Sequence, residues 1–507
     1  MTFHDPRAEN RAVPARQDGQ AGVPGPLGTA AKDAERPAAA SRSGRPSPEL
    51  RRVLVPLALA QFICSFAGSN MNVMINDMSE DLNTTVQGIQ IAITIFLLVM
   101  AALMIPGGKL TDRYGRKRCF NLGLAVYGVG ALVSAAAPGL GFLILGNSLL
   151  EGIGTALLIP PVYILTTLLF TEITSRARAF GVISAMGGVG AASGPLIGGA
   201  ITSAISWRAA FVFQALVILL IIILSRRAVK DPLPADPTRS FDVLGATLSA
   251  VGLVLVVSGI LAADDNIWLT LALVVAGALV LAWFFWSIRA KERAGVEPLL
   301  STALFRNRTA NLGMITQNLQ WLMLLGTSFV VAAYLQVVRG YDAIQTGLIF
   351  TAATVGLLVS SLAAERLAQR YAQRTLIVTG FVVTIAGFAV LLALVSSADT
   401  VWAFVPGLLL TGLGLGLMLT PSVNIVQSSF GEALQGEISG LSRSVSNLGS
   451  SLGTAIAGTI LVAGITKTPE RSYALALVAL GIGGLIGLVA ATMLPRTRPG
   501  AARTAGA

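Results

Sequence analysis

The sequence predicts an all-α polytopic membrane protein. Fourteen transmembrane helices are expected, arranged as two six-helix bundles with two helices inserted between them and with both termini cytoplasmic. Three observations carry that expectation. The first is composition: 507 residues that are 54% hydrophobic and 12% charged, with a mean hydropathy of +0.74, are too apolar for a soluble globular fold. The second is a series of apolar runs of roughly 20 residues, the length that crosses a bilayer core as a helix. The third is an internal repeat that relates one half of the chain to the other.

Residues 1–50 are rich in Pro, Gly, Ala and Arg and contain no apolar run. They read as a disordered cytoplasmic tail, and the lack of an apolar h-region argues against a secretory signal peptide. Apolar runs follow at about 53–75, 88–106, 119–137, 141–168, 177–203, 208–225, 241–263, 267–288, 309–336, 343–364, 375–396, 401–426, 437–465 and 473–494. Threaded from an inside amino terminus, the even-numbered connections hold the cations. They are Lys109, Arg113, Arg116, Lys117 and Arg118; Arg176 and Arg178; Arg226, Arg227, Lys230 and Arg239; Arg289, Lys291, Arg293, Arg306 and Arg308; and Arg366, Arg370 and Arg374. The opposite loops hold only Arg208, Arg339, Lys467 and Arg471, and the first of these loops is acidic, with Asp77, Glu80 and Asp81. By the positive-inside rule this asymmetry puts both termini in the cytoplasm. The net charge of +11 thus reports orientation, and no nucleic-acid partner is expected.

The repeat is read at two places. Ala363–Arg374 echoes Gly107–Arg118, with Leu367 against Leu110 and Arg370 against Arg113, an offset of 257 residues (110 to 367). Gly440, Gly449, Gly453 and Gly458 repeat Gly181, Gly190, Gly194 and Gly199 at an offset of 259 (181 to 440). Two concordant offsets imply a tandem duplication. The bundles are then residues 51–225 and 301–496, with 226–300 inserted and 497–507 a second cytoplasmic tail.

Between the second and third runs lies a dense polar stretch, Gly-Gly-Lys-Leu-Thr-Asp-Arg-Tyr-Gly-Arg-Lys-Arg, expected as a very short loop. It sets an acid, Asp112, between glycines that permit a tight turn and close helix approach. Here the chain resembles the major facilitator superfamily, whose signature loop Gly108, Leu110, Asp112, Arg113, Gly115, Arg116 and Lys117 match position by position. On the fifth run, Gly190, Gly194, Pro195, Gly198 and Gly199 place small residues where helices can pack closely in lipid, while Pro195 interrupts the backbone ladder. That pattern is similar to the motif of the antiporter branch. Its duplicate has Thr454 in place of the proline, so a kink is expected in the first half only. Together the motifs resemble the fourteen-helix drug:proton antiporters. The resemblance implies alternating access, a substrate site between the halves, and a cytoplasmic latch made by Asp112 with Arg113 and Arg116.

The fourth run contains Glu151, a carboxylate well inside an apolar segment, where a charge costs on the order of 2.5–3.5 kcal/mol. Two readings stand. Glu151 loads and releases the coupled proton, or it is a permanently protonated acid making one interhelical hydrogen bond. The chain departs from its relatives here, reading Ser148-Leu-Leu-Glu151-Gly152 where Arg-x-x-Gln-Gly is usual. It departs also in the first run, where Asn70 and Asn72 stand in the region that commonly carries an aspartate.

Polar residues in other runs are candidates for the cavity wall: Asn70, Asn72, Gln90, Asn147, Gln317, Asn318, Gln320, Trp321, Asn424, Arg443 and Asn447. Arg443 and Asn447 share a helix face, and Arg443 either joins the cavity or snorkels to the surface. Such a set implies a weakly polar, largely apolar pocket for hydrophobic or amphipathic small molecules.

No metal site and no cofactor is expected, because His4 is the lone histidine and Cys64 and Cys119 are far apart. A phosphate-binding Gly-x-x-x-x-Gly-Lys-Ser/Thr loop is missing from the sequence. The expected function is therefore proton-coupled export of a small molecule, not enzymatic catalysis. The expected partners are substrate, protons and the lipid bilayer, with oligomeric state open. The Ala, Gly and Arg richness points to a bacterial cell membrane. Two alternatives remain: an importer or facilitator of a specific metabolite, and a non-transporting scaffold or receptor.

Overall fold

The structure, a computed structural model, describes residues 48–496 apart from 171–172, 230–239, 264–265, 369, 396–399 and 432–433. The terminal tails, except for 48–50, lie outside the described residues, as do Lys230 and Arg239 of the charge pattern. The elements are α1 (Arg52–Asp81), α2 (Val86–Tyr114), α3 (Arg116–Ala135), α4 (Leu140–Leu169), α5 (Ile173–Ala204), α6 (Trp207–Ala228) and α7 (Val243–Leu261). They continue with α8 (Ile267–Arg293), α9 (Arg308–Val338), α10 (Ala343–Leu367), α11 (Gln373–Val395), α12 (Phe404–Gln427), α13 (Gln435–Gly464) and α14 (Pro469–Thr492). Thirteen are long and apolar enough to cross a membrane, or fourteen if the bent α5 counts as one span. Among the described residues there are no strands.

Starts are fixed by local chemistry. The side chains of Thr85, Ser206, Asp242, Asn266 and Asn307 each accept a bond from an unpaired amide of the first turn of the helix that follows. Asp342 and Gln345 form a reciprocal capping box at α10. α5 bends by 40° between its parts Arg178–Ala191 and Ser193–Ala204. The bend falls at residue i−4 of Pro195, whose ring clashes with that carbonyl and whose nitrogen donates nothing.

Helices pair the same way in both halves. α1 packs on α5 as α9 packs on α13; α2 on α4 as α10 on α12; α3 on α4 as α11 on α12; and α3 on α6 as α11 on α14. The halves meet along two seams, α2 with α13 and α5 with α10, which the duplication makes equivalent. The pair α7 and α8 packs on itself and lies against the first seam. Leu98 of α2, Val257 of α7 and Ala455 of α13 form one cluster there. α8 is otherwise turned to lipid: 11% of its apolar stretch is buried, and Trp268, Trp283 and Trp286 are exposed.

The polar stretch 107–118 differs from the expected loop. α2 stays helical through Tyr114 and α3 begins at Arg116, so the connection is the single residue Gly115, at φ 96°. A positive φ is open to glycine at little cost, which is why one residue suffices.

Candidate functional site

The basic connections 107–118, 226–229 and 289–308 mark one side of the molecule, called here the basic face. Its opposite is the far face. Three groups of sequence-expected residues lie between or at these faces.

The first surrounds Glu151. Before it, Ile144–Glu151 is wound as a π-helix, an insertion that shifts the register of side chains and is frequent at functional positions. Close contact with α3 is possible because the facing residues lack side chains. A Cβ on Gly154 would lie 2.6 Å from the Tyr127 nitrogen, and one on Gly130 would lie 2.7 Å from the Gly146 carbonyl. Ser134 and Tyr127 of α3 thereby reach the carboxyl region. Ser134 Oγ donates to Glu151 Oε1 and Asn147 Nδ2 to Oε2, each at 3.4 Å, while the Tyr127 hydroxyl donates to Gln214 of α6 at 2.6 Å. Glu151 has no solvent exposure. Among the described residues no cation pairs with it. The acid therefore sits inside the first half, on a turn of α4 that packs against α2 and α3.

The second group is the glycine motif of α5. Gly190 presses on the Phe62 backbone, Gly194 on Ser69 and Asn70, and Gly198 on Asn70, so these three form the α1 contact face; Gly199 faces Ala343 and Ile344 of α10 across the seam. The duplicate repeats this division. Gly449 and Gly453 lie on Asn318 and Leu322 of α9, and Gly458 lies on Gln90 of the other half. Near the far face the halves are tied further. Asn72 Nδ2 donates to Ser328 at 3.1 Å, Gln336 Nε2 to the Asn72 carbonyl at 2.7 Å, and the Ile344 amide to Ser203 at 3.1 Å.

The third group is at the basic face. Asp112 pairs with Arg116 at 3.2 Å, and the Arg113 guanidinium lies over the Tyr114 ring. Lys109, one residue beyond the matched Gly108, pairs with Glu297 at 2.9 Å and with Glu437 of α13 at 3.0 Å. Glu437 also accepts from the Ser301 amide. Lys117 reaches the Arg226 carbonyl at the end of α6, where a helix C-terminus favours a cation.

The expected cavity residues do not converge on one pocket. Gln90 spans the α2–α13 seam, donating to Thr454, Ala455 and Thr459 at 3.2 Å. Gln317, Asn318 and Gln320 bond within the second half, to Ser446, Val445 and Leu415. Trp321 packs at the edge of the core and Asn424 is exposed. Asn70 and Asn447 carry buried amide atoms without protein partners. Arg443 does not snorkel: it reaches across to α4, donating to the Tyr163 hydroxyl and lying 5.1 Å from that ring. Sequence reasoning missed Tyr163, Gln336 and Glu437. The signal available for Gln336 was the repeat, since Asn76 and Gln336, 260 residues apart, bond where equivalent helices meet.

Two matching helical halves that meet along two equivalent seams, with buried polar groups between the faces, define a transporter of the duplicated, multi-pass kind. The chain belongs to the Major Facilitator Superfamily, whose description matches residues 57–319 and 313–507. It is 31% identical over 421 residues to the puromycin resistance protein pur8 of Streptomyces alboniger, covering 82% of each chain. It is 30% identical to the multidrug efflux pump LfrA of Mycolicibacterium smegmatis (78% of this chain, 79% of that one). It is 28% identical to the cephamycin export protein CmcT of Amycolatopsis lactamdurans (85% and 90%). Among solved structures, the peptide transporter POT in complex with sulfate superposes with a TM-score of 0.65 at 18% identity, over 88% of this chain and 95% of that one. That likeness is one of fold.

Proposed function

We propose that this protein exports hydrophobic or amphipathic small molecules, antibiotics among them, in exchange for protons by alternating access. The observation that carries export is the set of relatives named for resistance or efflux, matched across about four-fifths of the chain. Proton coupling rests on Glu151, a carboxyl without a cationic partner among the described residues, held by the weak donors Ser134 and Asn147 at the end of a π-helical break.

In this reading fourteen helices cross the membrane. Residues 51–225 and 301–496 are the moving bundles, 226–300 is the insertion, and both termini are cytoplasmic. Protonation of Glu151 removes a charge from an apolar interior, which biases the packing of α3 on α4. The Asp112–Arg116 pair and the Lys109–Glu437 bridge open and close as the halves rock. Substrate occupies the space between the halves.

The test is efflux of Nile red, an uncharged lipophilic dye, from energised bacterial cells expressing wild type, Glu151→Gln or no transporter, with and without a protonophore. Wild-type efflux that the protonophore stops and Glu151→Gln lacks, at equal membrane insertion, is the expected result. Wild-type efflux that survives the protonophore, or efflux that Glu151→Gln retains, sinks proton coupling through Glu151. No gain over empty cells in either dye efflux or antibiotic tolerance sinks export.

A further inference from the structure

We propose that Arg443 is the anion-binding element of the substrate crevice, and that the compound carried bears an acidic group, a carboxylate or an ionised phenol or enol, on an apolar ring system. The proposal deepens the export reading and rests on the crevice between the halves being the substrate site.

Arg443 is the ninth residue of α13, so its Cα lies roughly 12 Å along the helix at 1.5 Å per residue. A cation at that depth is ordinarily matched by a carboxylate. Here its partners are uncharged. One guanidinium N–H donates to the Tyr163 hydroxyl, and the group lies against the Tyr163 ring, whose face attracts a cation. Tyr163 is itself fixed from three sides. Its hydroxyl donates to Gln61 of α1 at 3.2 Å, Gln61 donates to Ser65 at 3.1 Å, and its ring stacks on Phe180 of α5 at 5.9 Å. The fork is therefore held by Tyr163 of α4, which side chains of α1 and α5 fix in place.

The rest of that fork has no protein acceptor among the described residues. Its two unbonded nitrogens, Nε and Nη1, are not sealed off, in contrast to Nε of Arg113 and Arg116. An arginine offers five N–H donors in a plane that fits a carboxylate with two parallel bonds.

The charge around it is one-sided. Among the described residues Glu151 is the one carboxylate well inside the helices, and it is fully buried with Ser134 and Asn147. From α1 come the amides of Gln61, Asn70 and Asn72. The side of α5 near the basic face is also loosely packed. A Cβ at Gly181 would meet nothing within 4 Å, and one at Gly188 only Leu358 at 3.9 Å. A ligand with a flat apolar body finds the Tyr163 and Phe180 rings beside the guanidinium.

The test titrates the full chain, purified into phosphatidylcholine nanodiscs at pH 7, with 1-naphthoate and with 1-naphthylmethylammonium, which share a ring system and differ in charge. Calorimetry should show the acid binding about tenfold more tightly than the amine. Arg443→Gln should remove that preference and Arg443→Lys should keep part of it. Equal or weaker binding of the acid by wild type, or a preference that Arg443→Gln retains, overturns the proposal. If Arg443→Gln fails to insert, the wild-type comparison decides alone. Naphthoate binding unchanged by added phosphatidylglycerol supports a substrate site; its loss assigns the site to a lipid headgroup and overturns this one. Binding needs no gradient, so acid preference without efflux in cells counts against export and not against the anion site.

Discussion

Asp242 shows how one side chain can hold an insertion in place. It caps α7 by accepting from the Gly245 amide at 2.7 Å, accepts from the Leu299 amide at 3.1 Å, and pairs with Lys291 at the end of α8. Burial pushes its carboxyl up, but the Lys291 bond and the two amides outweigh it and leave the group below its usual 3.8. A folded-state value below the unfolded one means that the stabilisation is complete above about pH 4 and is lost as pH falls through the lowered value. Asp242→Asn should therefore cost about 1 kcal/mol at pH 7, read as a lower Tm. The gap to wild type should close toward pH 3. A gap that is constant with pH would mean that the ion pair contributes nothing there.

At the scale of the element, α5 divides into a close-packed and an open stretch, and the division predicts opposite outcomes for one kind of substitution. Gly190→Ala puts a methyl on the Phe62 backbone, which cannot yield as a side-chain tip would. About 1–3 kcal/mol of stability should go, with transport reduced. Gly181→Ala meets nothing and should be neutral or stabilising by up to about 1 kcal/mol, because alanine favours helix. Thermal unfolding of the two purified variants checks both, and equal effects would contradict the packing described. The Gly and Pro positions of this helix were legible in the sequence because backbone rules act locally: Pro195 fixes its bend and glycine spacing fixes its contact face. Glu151 was legible for a similar reason, since a carboxylate in an apolar run is conspicuous in one dimension. What stood outside the sequence was direction. Nothing local says that Glu151 turns toward Ser134, that Gln317 spends its amide on Ser446, or that Arg443 crosses to Tyr163. Those depend on helix rotation, and an insertion such as the π-helix at Ile144–Glu151 changes rotation without changing composition. The polar stretch 107–118 reads as a loop for the converse reason: dense charge suggests irregularity, whereas Gly115 alone makes the turn.

For the whole molecule, the duplication predicts its own test. The ends of α5 and α10 near the far face are joined across the halves by the Ile344 amide on Ser203 at 3.1 Å, a contact that makes these two positions the pair to test by disulfide cross-linking. Ser203→Cys with Ile344→Cys should cross-link under mild oxidant and arrest transport, and reductant should restore it. Cys64 and Cys119 are buried and should not interfere. Transport that continues with the link closed would show that this seam does not part.

The placement of α7 and α8 has a further consequence for how the bilayer meets the transporter. Duplication made the two seams alike, and insertion made them unlike. The α2–α13 seam lies behind a wall of two additional helices sealed by Leu98, Val257 and Ala455, while α5 and α10 meet with no such pair over them. A molecule dissolved among the acyl chains thus faces a chiral asymmetry in the plane of the membrane: one flank is shuttered, and the other presents the joint between the halves, on the helix that carries the open positions Gly181 and Gly188.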